Sequence, residues 1–273
     1  MAITYTATHG VSNAMLETEV DASTTKRLLW RVAEVANIID ETPRVKSLVL
    51  NVPGWPGHQP GQHVDVRLTA EDGYQAQRSY SVASEPETSR LMLTVELIEG
   101  GEVSPYLTAD VRPGDKFELR GPIGGYFIWT VAIGGPLLLV AGGSGIAPLM
   151  SMLRYRAAAK ITTPALLLYS SRTYEDIIYR KELNRMAARN DGLTVIYTLT
   201  RRQPPRWSGG ARRIDRSMLA QVAPSVMARP KIFICGPTSL VESAAQSLLE
   251  LGYERNLIKT ERFGPTGTWS GVG

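Results

Sequence analysis

Short runs of alternating apolar and polar residues fill the first half of this 273-residue chain. Leu29–Val35, Val45–Leu50, His63–Leu68, Gln77–Ser84, Arg90–Leu97 and Lys116–Arg120 each repeat with the period of two expected of a half-buried strand. Gly- and Pro-rich turns separate them: Asp40–Pro43, Pro53–Gly57, Pro60-Gly61 and Pro113–Asp115. One segment, Ser104–Val111, has helical spacing instead. Six short strands with such punctuation predict a small antiparallel β-barrel. The second half has a different rhythm. Apolar runs at Pro136–Ala141, Ala165–Tyr169, Leu193–Leu199 and Lys231–Cys235 alternate with helical patterns at Pro148–Lys160, Asp176–Arg189, Arg216–Val222 and Ser239–Leu251. Strand–helix alternation predicts a parallel, Rossmann-like sheet with helices on both faces. The expected division is an N-terminal extension at 1–27, a β-barrel domain at 28–134 and an α/β domain at 135–273, with the boundary near Val131–Gly135. Residues 1–27 are rich in Thr, Ser and Ala and show little periodicity, so their role is not legible.

Leu137–Leu153 is the stretch around which the rest is organised. An apolar strand runs into Gly142-Gly-Ser-Gly-Ile-Ala-Pro148 and then into a helix. In that geometry, backbone N–H groups and a helix N-terminus face a diphosphate, and glycine lets the phosphate approach the backbone. Pro148 suits the first turn of a helix, where its missing N–H costs nothing. The run is not G-x-G-x-x-G, so taken alone it fits an ordinary turn equally well.

Composition limits the chemistry. The chain has one cysteine, Cys235, and three histidines, His9, His58 and His63, without metal-ligand spacing. A disulfide framework or a four-thiolate iron–sulfur cluster within the chain is therefore excluded, and a zinc site is not expected. No apolar run reaches the roughly 20 residues of a membrane span. The N-terminus lacks the pattern of a secretory signal, so the expected location is cytoplasmic. The net charge of +4 is unevenly distributed: residues 1–134 carry 11 basic and 17 acidic side chains, residues 135–273 carry 19 and 9. A basic second half attracts a phosphorylated cofactor or an acidic protein. Its arginines are scattered rather than gathered in one tract, which argues against nucleic acid.

Five motifs then occur in order. Arg78-Ser-Tyr-Ser81, Gly101-Glu-Val-Ser104, Gly142–Pro148, Cys235-Gly-Pro237 and Glu261-Arg-Phe263 together resemble the ferredoxin–NADP reductase superfamily over Leu28 to Gly264. Each motif is weak alone; their order and spacing carry the resemblance. It implies that Arg78 pairs with a flavin phosphate, that Tyr80 packs on the isoalloxazine and that Ser81 lies near flavin N5, with Ser79 and Val95 alongside. It implies that Gly101, Val103 and Ser104 hold the FAD diphosphate, which favours FAD over FMN. Gly142, Gly143, Gly145 and Pro148 would hold the dinucleotide, with Cys235 by the nicotinamide, Gly236 and Pro237 completing that cofactor-binding motif, and Phe263 in the segment that ends near the flavin. Ser81, Cys235 and Glu261 are the implied catalytic set.

The nucleotide preference is sought after the second parallel strand, which ends in Ser170, Ser171 and Arg172 rather than in a carboxylate. That ending favours NADP over NAD. Arg180, Arg201 and Arg213 are further candidates for its 2′-phosphate, while Glu175 and Asp176 keep NAD open. The resemblance thus implies an FAD-dependent reductase carrying electrons from NADPH to a separate acidic one-electron acceptor such as a ferredoxin. The alternatives are an NADH-dependent reductase component of an oxygenase, and an electron-transfer subunit that binds flavin and nucleotide without turnover.

Overall fold

A computed structural model describes residues 28–86, 88–223 and 229–263. The expected extension at 1–27 and the end of the chain after Phe263 lie outside the described residues.

The first half is the expected antiparallel barrel. Its strands are β1 (Trp30–Thr42), β2 (Val45–Asn51), β3 (His63–Thr69), β4 (Gln75–Ser81), β5 (Leu91–Glu96) and β6 (Lys116–Ile123). They pair in the order β4-β3-β6-β1-β2-β5. Val82, just past β4, bridges Leu93 of β5 and brings the two sheet edges together. Inward-facing residues of the alternating runs, among them Ala33, Leu48, Leu50, Val64, Val66, Leu93 and Leu119, form the core. A short helical segment, Tyr106–Asp110, follows β5 and buries Leu107 in that core. β1 extends seven residues beyond the expected run and passes through the predicted turn at Asp40. The chain reverses only at Pro43, which cannot donate to a ladder.

The second half is a five-stranded parallel sheet of β7 (Leu137–Gly142), β8 (Ala165–Ser171), β9 (Leu193–Leu199), β10 (Lys231–Gly236) and β11 (Ile258–Arg262), ordered β11-β10-β7-β8-β9. Four helices connect it: α1 (Ile146–Ala158), α2 (Arg180–Ala187), α3 (Arg216–Val222) and α4 (Thr238–Glu250). β7 is buried along its whole length, as a strand covered on both faces must be. One face packs with α1 and α2 around Leu139, Phe233 and Tyr169, and the other with α3 and α4 around Val140, Ile234 and Leu248. The strand order reverses between β7 and β10, and ligands bind at such a switch point, beyond the carboxyl ends of the strands.

Two elements differ from the sequence expectation. The sequence pattern predicts no strand at β11. α2 begins at Arg180 rather than Asp176, because Tyr179 sits in the left-handed region (φ 57°) and the helix cannot run through it.

Candidate active site

The first cluster lies at the switch point. After β7 the chain makes a single helical turn, Gly143–Gly145, and enters α1 with Pro148 in the first turn. The three glycines serve different ends. A Cβ on Gly145 would lie 2.4 Å from the Cys235 carbonyl oxygen, and one on Gly142 would lie 2.7 Å from Leu240 Cδ1. These two are small because β7, β10 and α4 meet there. Gly143 is different: it adopts φ +54°, and the nearest atom to a Cβ would be Glu96 Oε2 at 3.8 Å. Its open side and left-handed backbone are what a phosphate-binding turn requires, so a pyridine nucleotide fits here. Gly236 packs on the Gly142 backbone, and Pro237 immediately precedes α4.

Cys235 lies one residue before the end of β10, fully buried, and its thiol is pushed well above its ordinary range by burial and by nearby Glu261. It is a packed, free thiol. Glu261 stands opposite Cys235 in the parallel register, and burial pushes its carboxyl up to about 7. Its side chain makes no hydrogen bond or ion pair with the described residues. Phe263 packs against the same core, and its N–H donates to the Gly236 carbonyl.

The second cluster lies on the barrel. Arg78 is half-exposed on β4, pairs with Glu102 Oε2 at 2.9 Å and donates to the Gln77 carbonyl. Glu102 also accepts from the Tyr74 hydroxyl. The guanidinium is thus tied to the turn Gly101–Ser104, and exposed Tyr74, Ile98 and Tyr106 flank the same turn. A guanidinium beside a helix start and an uncovered apolar rim fit a flavin nucleotide. Tyr80 is partly buried against the barrel core, which pushes its hydroxyl up to about 12. Ser81 is buried opposite His63.

Several implied contacts are spent elsewhere. The Ser79 hydroxyl donates to Asp65 Oδ1 at 2.6 Å, because strand alternation turns it away from Arg78 and Tyr80. Val95 and Val103 are buried in the barrel core, so only their backbone can reach a cofactor. The Ser104 oxygen accepts from the Ile98 N–H at 3.1 Å and closes the turn that Gly101 begins.

The third cluster lies beyond β8 and β9. Arg201 N–H donates to the Arg172 carbonyl at 2.9 Å, which sets these two arginines side by side. Arg213 follows Arg212, whose N–H bonds Thr198 near the end of β9. Arg172, Arg201 and Arg213 are exposed, and their guanidinium groups make no hydrogen bond or ion pair among the described residues. Arg180 instead stacks on Tyr174, 3.9 Å from the ring centre, and donates to its carbonyl. Ser171 is buried and donates to the Asp176 carbonyl. Both nearby carboxylates are engaged: Asp176 accepts from Thr173 N and Oγ1, and Glu175 pairs with Arg202 at 3.3 Å.

Contacts the motifs did not reveal join the two domains. Ser144 donates to Glu96 of β5 at 2.7 Å, and Ser151 of α1 donates to the Ser84 carbonyl. Arg154 pairs with Glu182 through Nε and Nη2 and donates to the Ala83 carbonyl through Nη1. Tyr179 meets Thr94 through its hydroxyl. Nothing in local periodicity marks these contacts, because Glu96, Ser84, Ala83 and Thr94 lie in the other half of the chain.

Residues 33–128 match the family "Oxidoreductase FAD-binding domain" and residues 139–246 match "Oxidoreductase NAD-binding domain". The chain is 30% identical over 203 residues to NADH-cytochrome b5 reductase 1 of Aspergillus terreus, spanning 71% of this chain and 68% of that one. This chain belongs to the ferredoxin–NADP reductase superfamily. Its two halves carry the FAD-binding and NAD-binding domains of oxidoreductases. It is 32% identical over 213 residues to the glycine betaine monooxygenase reductase subunit of Pseudomonas aeruginosa, covering 76% of this chain but only 57% of that longer protein. The ferredoxin NADP+ reductase of Neisseria gonorrhoeae, solved with FAD and NADP bound, shares the fold with a TM-score of 0.74 and 22% identity, over 85% of this chain and 98% of that one. Among the described residues no helix is long and apolar enough to cross a membrane, and no acidic, His or Cys cluster could hold a metal.

Proposed function

We propose that this reductase takes electrons from NADPH and passes them through FAD to a separate one-electron acceptor protein of acidic, ferredoxin-like character. Bound FAD would supply the conversion of a two-electron hydride donor into single electrons. The residues would do the rest. Arg78 would bind a flavin phosphate, exchanging Glu102 for it, and the N–H groups at Gly101–Ser104 would assist. Tyr80 would lie along the ring system, with Ser81 at its edge. The turn at Gly143 would receive the nucleotide diphosphate. Cys235 and Glu261 would border the nicotinamide, and a carboxyl that titrates near 7 is suited to holding or releasing a proton there.

The observation that carries the choice of NADPH is the set of three exposed, unpartnered guanidinium groups at Arg172, Arg201 and Arg213, next to carboxylates that are already engaged. A ribose 2′-phosphate supplies the anion such a set lacks. The basic charge of residues 135–273 supports an acidic partner through steering. Stopped-flow reduction with NADPH and NADH, followed by addition of a plant-type ferredoxin, tests the reading. Fast reduction by NADPH and onward transfer are expected.

A second reading is an NADH-dependent reductase component of an oxygenase. The Pseudomonas relative, named as a monooxygenase reductase subunit, and the Aspergillus relative, named for NADH, favour it. Faster reduction by NADH would select it.

A further inference from the structure

Glu96 is a carboxylate of the flavin domain that reaches the nucleotide turn. It ends β5, accepts from the Ser144 hydroxyl at 2.7 Å, and is the nearest group to the open side of Gly143. A negative charge at that place opposes an incoming diphosphate. A buried, unsatisfied donor lies within its electrostatic reach. Arg44 lies in the β1–β2 turn, next to Val45, which pairs with Glu96, and its carbonyl accepts from the N–H of Leu97, the residue after Glu96. Its two terminal nitrogens bond Glu99 and the Leu97 carbonyl, but Nε is shielded from solvent and has no partner, the one such buried side-chain atom among the described residues. Glu99, then Glu96 and Asp176, hold its guanidinium pKa above the ordinary range. An orphaned donor of this kind calls for an occasional acceptor.

We propose that Glu96 is a positioning residue with two stations: on Ser144 when the nucleotide is absent, and turned toward Arg44 Nε when a diphosphate occupies the Gly143 turn. The carboxylate then competes with the nucleotide for the Ser144 hydroxyl and hastens release of the oxidised nucleotide. The inference rests on the diphosphate reading of Gly143–Gly145. It concerns the part common to NAD+ and NADP+, not the 2′-phosphate.

Isothermal titration of the flavin-loaded protein with NADP+ and, separately, with NAD+ tests it. Glu96→Gln keeps the shape and removes the charge, and it is expected to tighten both nucleotides by about tenfold and by equal factors. Glu96→Ala is expected to act in the same direction. Arg44→Gln removes the second station and is expected to weaken both, with no further effect in the Glu96→Gln background. Damage to the fold lowers affinity, so a gain of affinity is not explained by it. Unchanged or weaker binding in both Glu96 variants overturns the inference. Tightening of NADP+ alone also overturns it, because the charge would then act at the 2′-phosphate. Failure of the unaltered protein to bind either nucleotide overturns the diphosphate reading together with the inference.

Discussion

Cys235 and Glu261 face each other across neighbouring parallel strands, a fully buried thiol beside a carboxyl that burial pushes up to about 7. The pairing places a titrating group at the carboxyl end of β10, next to the nucleotide turn.

The raised carboxyl makes stability pH-dependent. Its folded pKa lies above the unfolded value, so the protonated form favours folding. The contribution is full below about pH 4.5 and is lost as pH rises through about 7. Glu261→Gln removes this dependence. Urea midpoints compared at pH 4.5 and pH 8 are expected to show the unaltered protein losing stability relative to the variant. A constant gap across that range would show that Glu261 is not the group whose titration is buried.

The barrel, the parallel sheet and the order of the five motifs were legible in the sequence because each rests on local periodicity or on glycine and proline punctuation. β11 was not. Ile258-Lys-Thr-Glu-Arg262 is five residues with three charges, and it becomes a strand only because the edge of β10 offers a parallel partner. The start of α2 was misplaced for a similar reason: the Tyr179 hydroxyl is drawn to Thr94 of the barrel, a contact across 85 residues. Within the site, the Arg78–Ser81 box was visible as a unit, but the turn of Ser79 toward Asp65 is set by β3, not by the box.

Gly145 is a packing requirement whatever it contributes to a ligand. Gly145→Ala puts a methyl 2.4 Å from the Cys235 carbonyl oxygen. Because that neighbour is backbone, the variant is expected to lose about 2 kcal/mol of stability, the range typical of overpacking. Gly143→Ala has space for its methyl but strains φ, and about 1 kcal/mol is expected. Denaturant unfolding of both variants checks the ranking, and a reversed order would remove the distinction drawn between the two glycines.

The proposed flavin-phosphate contact rests on Arg78. Arg78→Ala is expected to emerge colourless or with FAD affinity reduced about a hundredfold, as befits the loss of a charge-assisted phosphate contact. Fluorescence titration with FAD reads this directly. Undiminished affinity would mean that the Arg78–Glu102 pair is only a surface ion pair.

The proposed preference for NADPH rests most on Arg172. In Arg172→Ala the KM for NADPH is expected to rise about tenfold or more while that for NADH stays within about twofold, because only one substrate has the 2′-phosphate. Steady-state kinetics with an artificial acceptor suffice, and equal changes for both nucleotides would refute the assignment.

The central claim, a flavin reduced by NADPH, is tested most directly by the anaerobic visible spectrum of the FAD-loaded protein after one equivalent of NADPH, with NADH in parallel. Rapid bleaching by NADPH and slow bleaching by NADH is the expected result. A flavin that stays oxidised with both, or a protein that takes up no FAD, would contradict it.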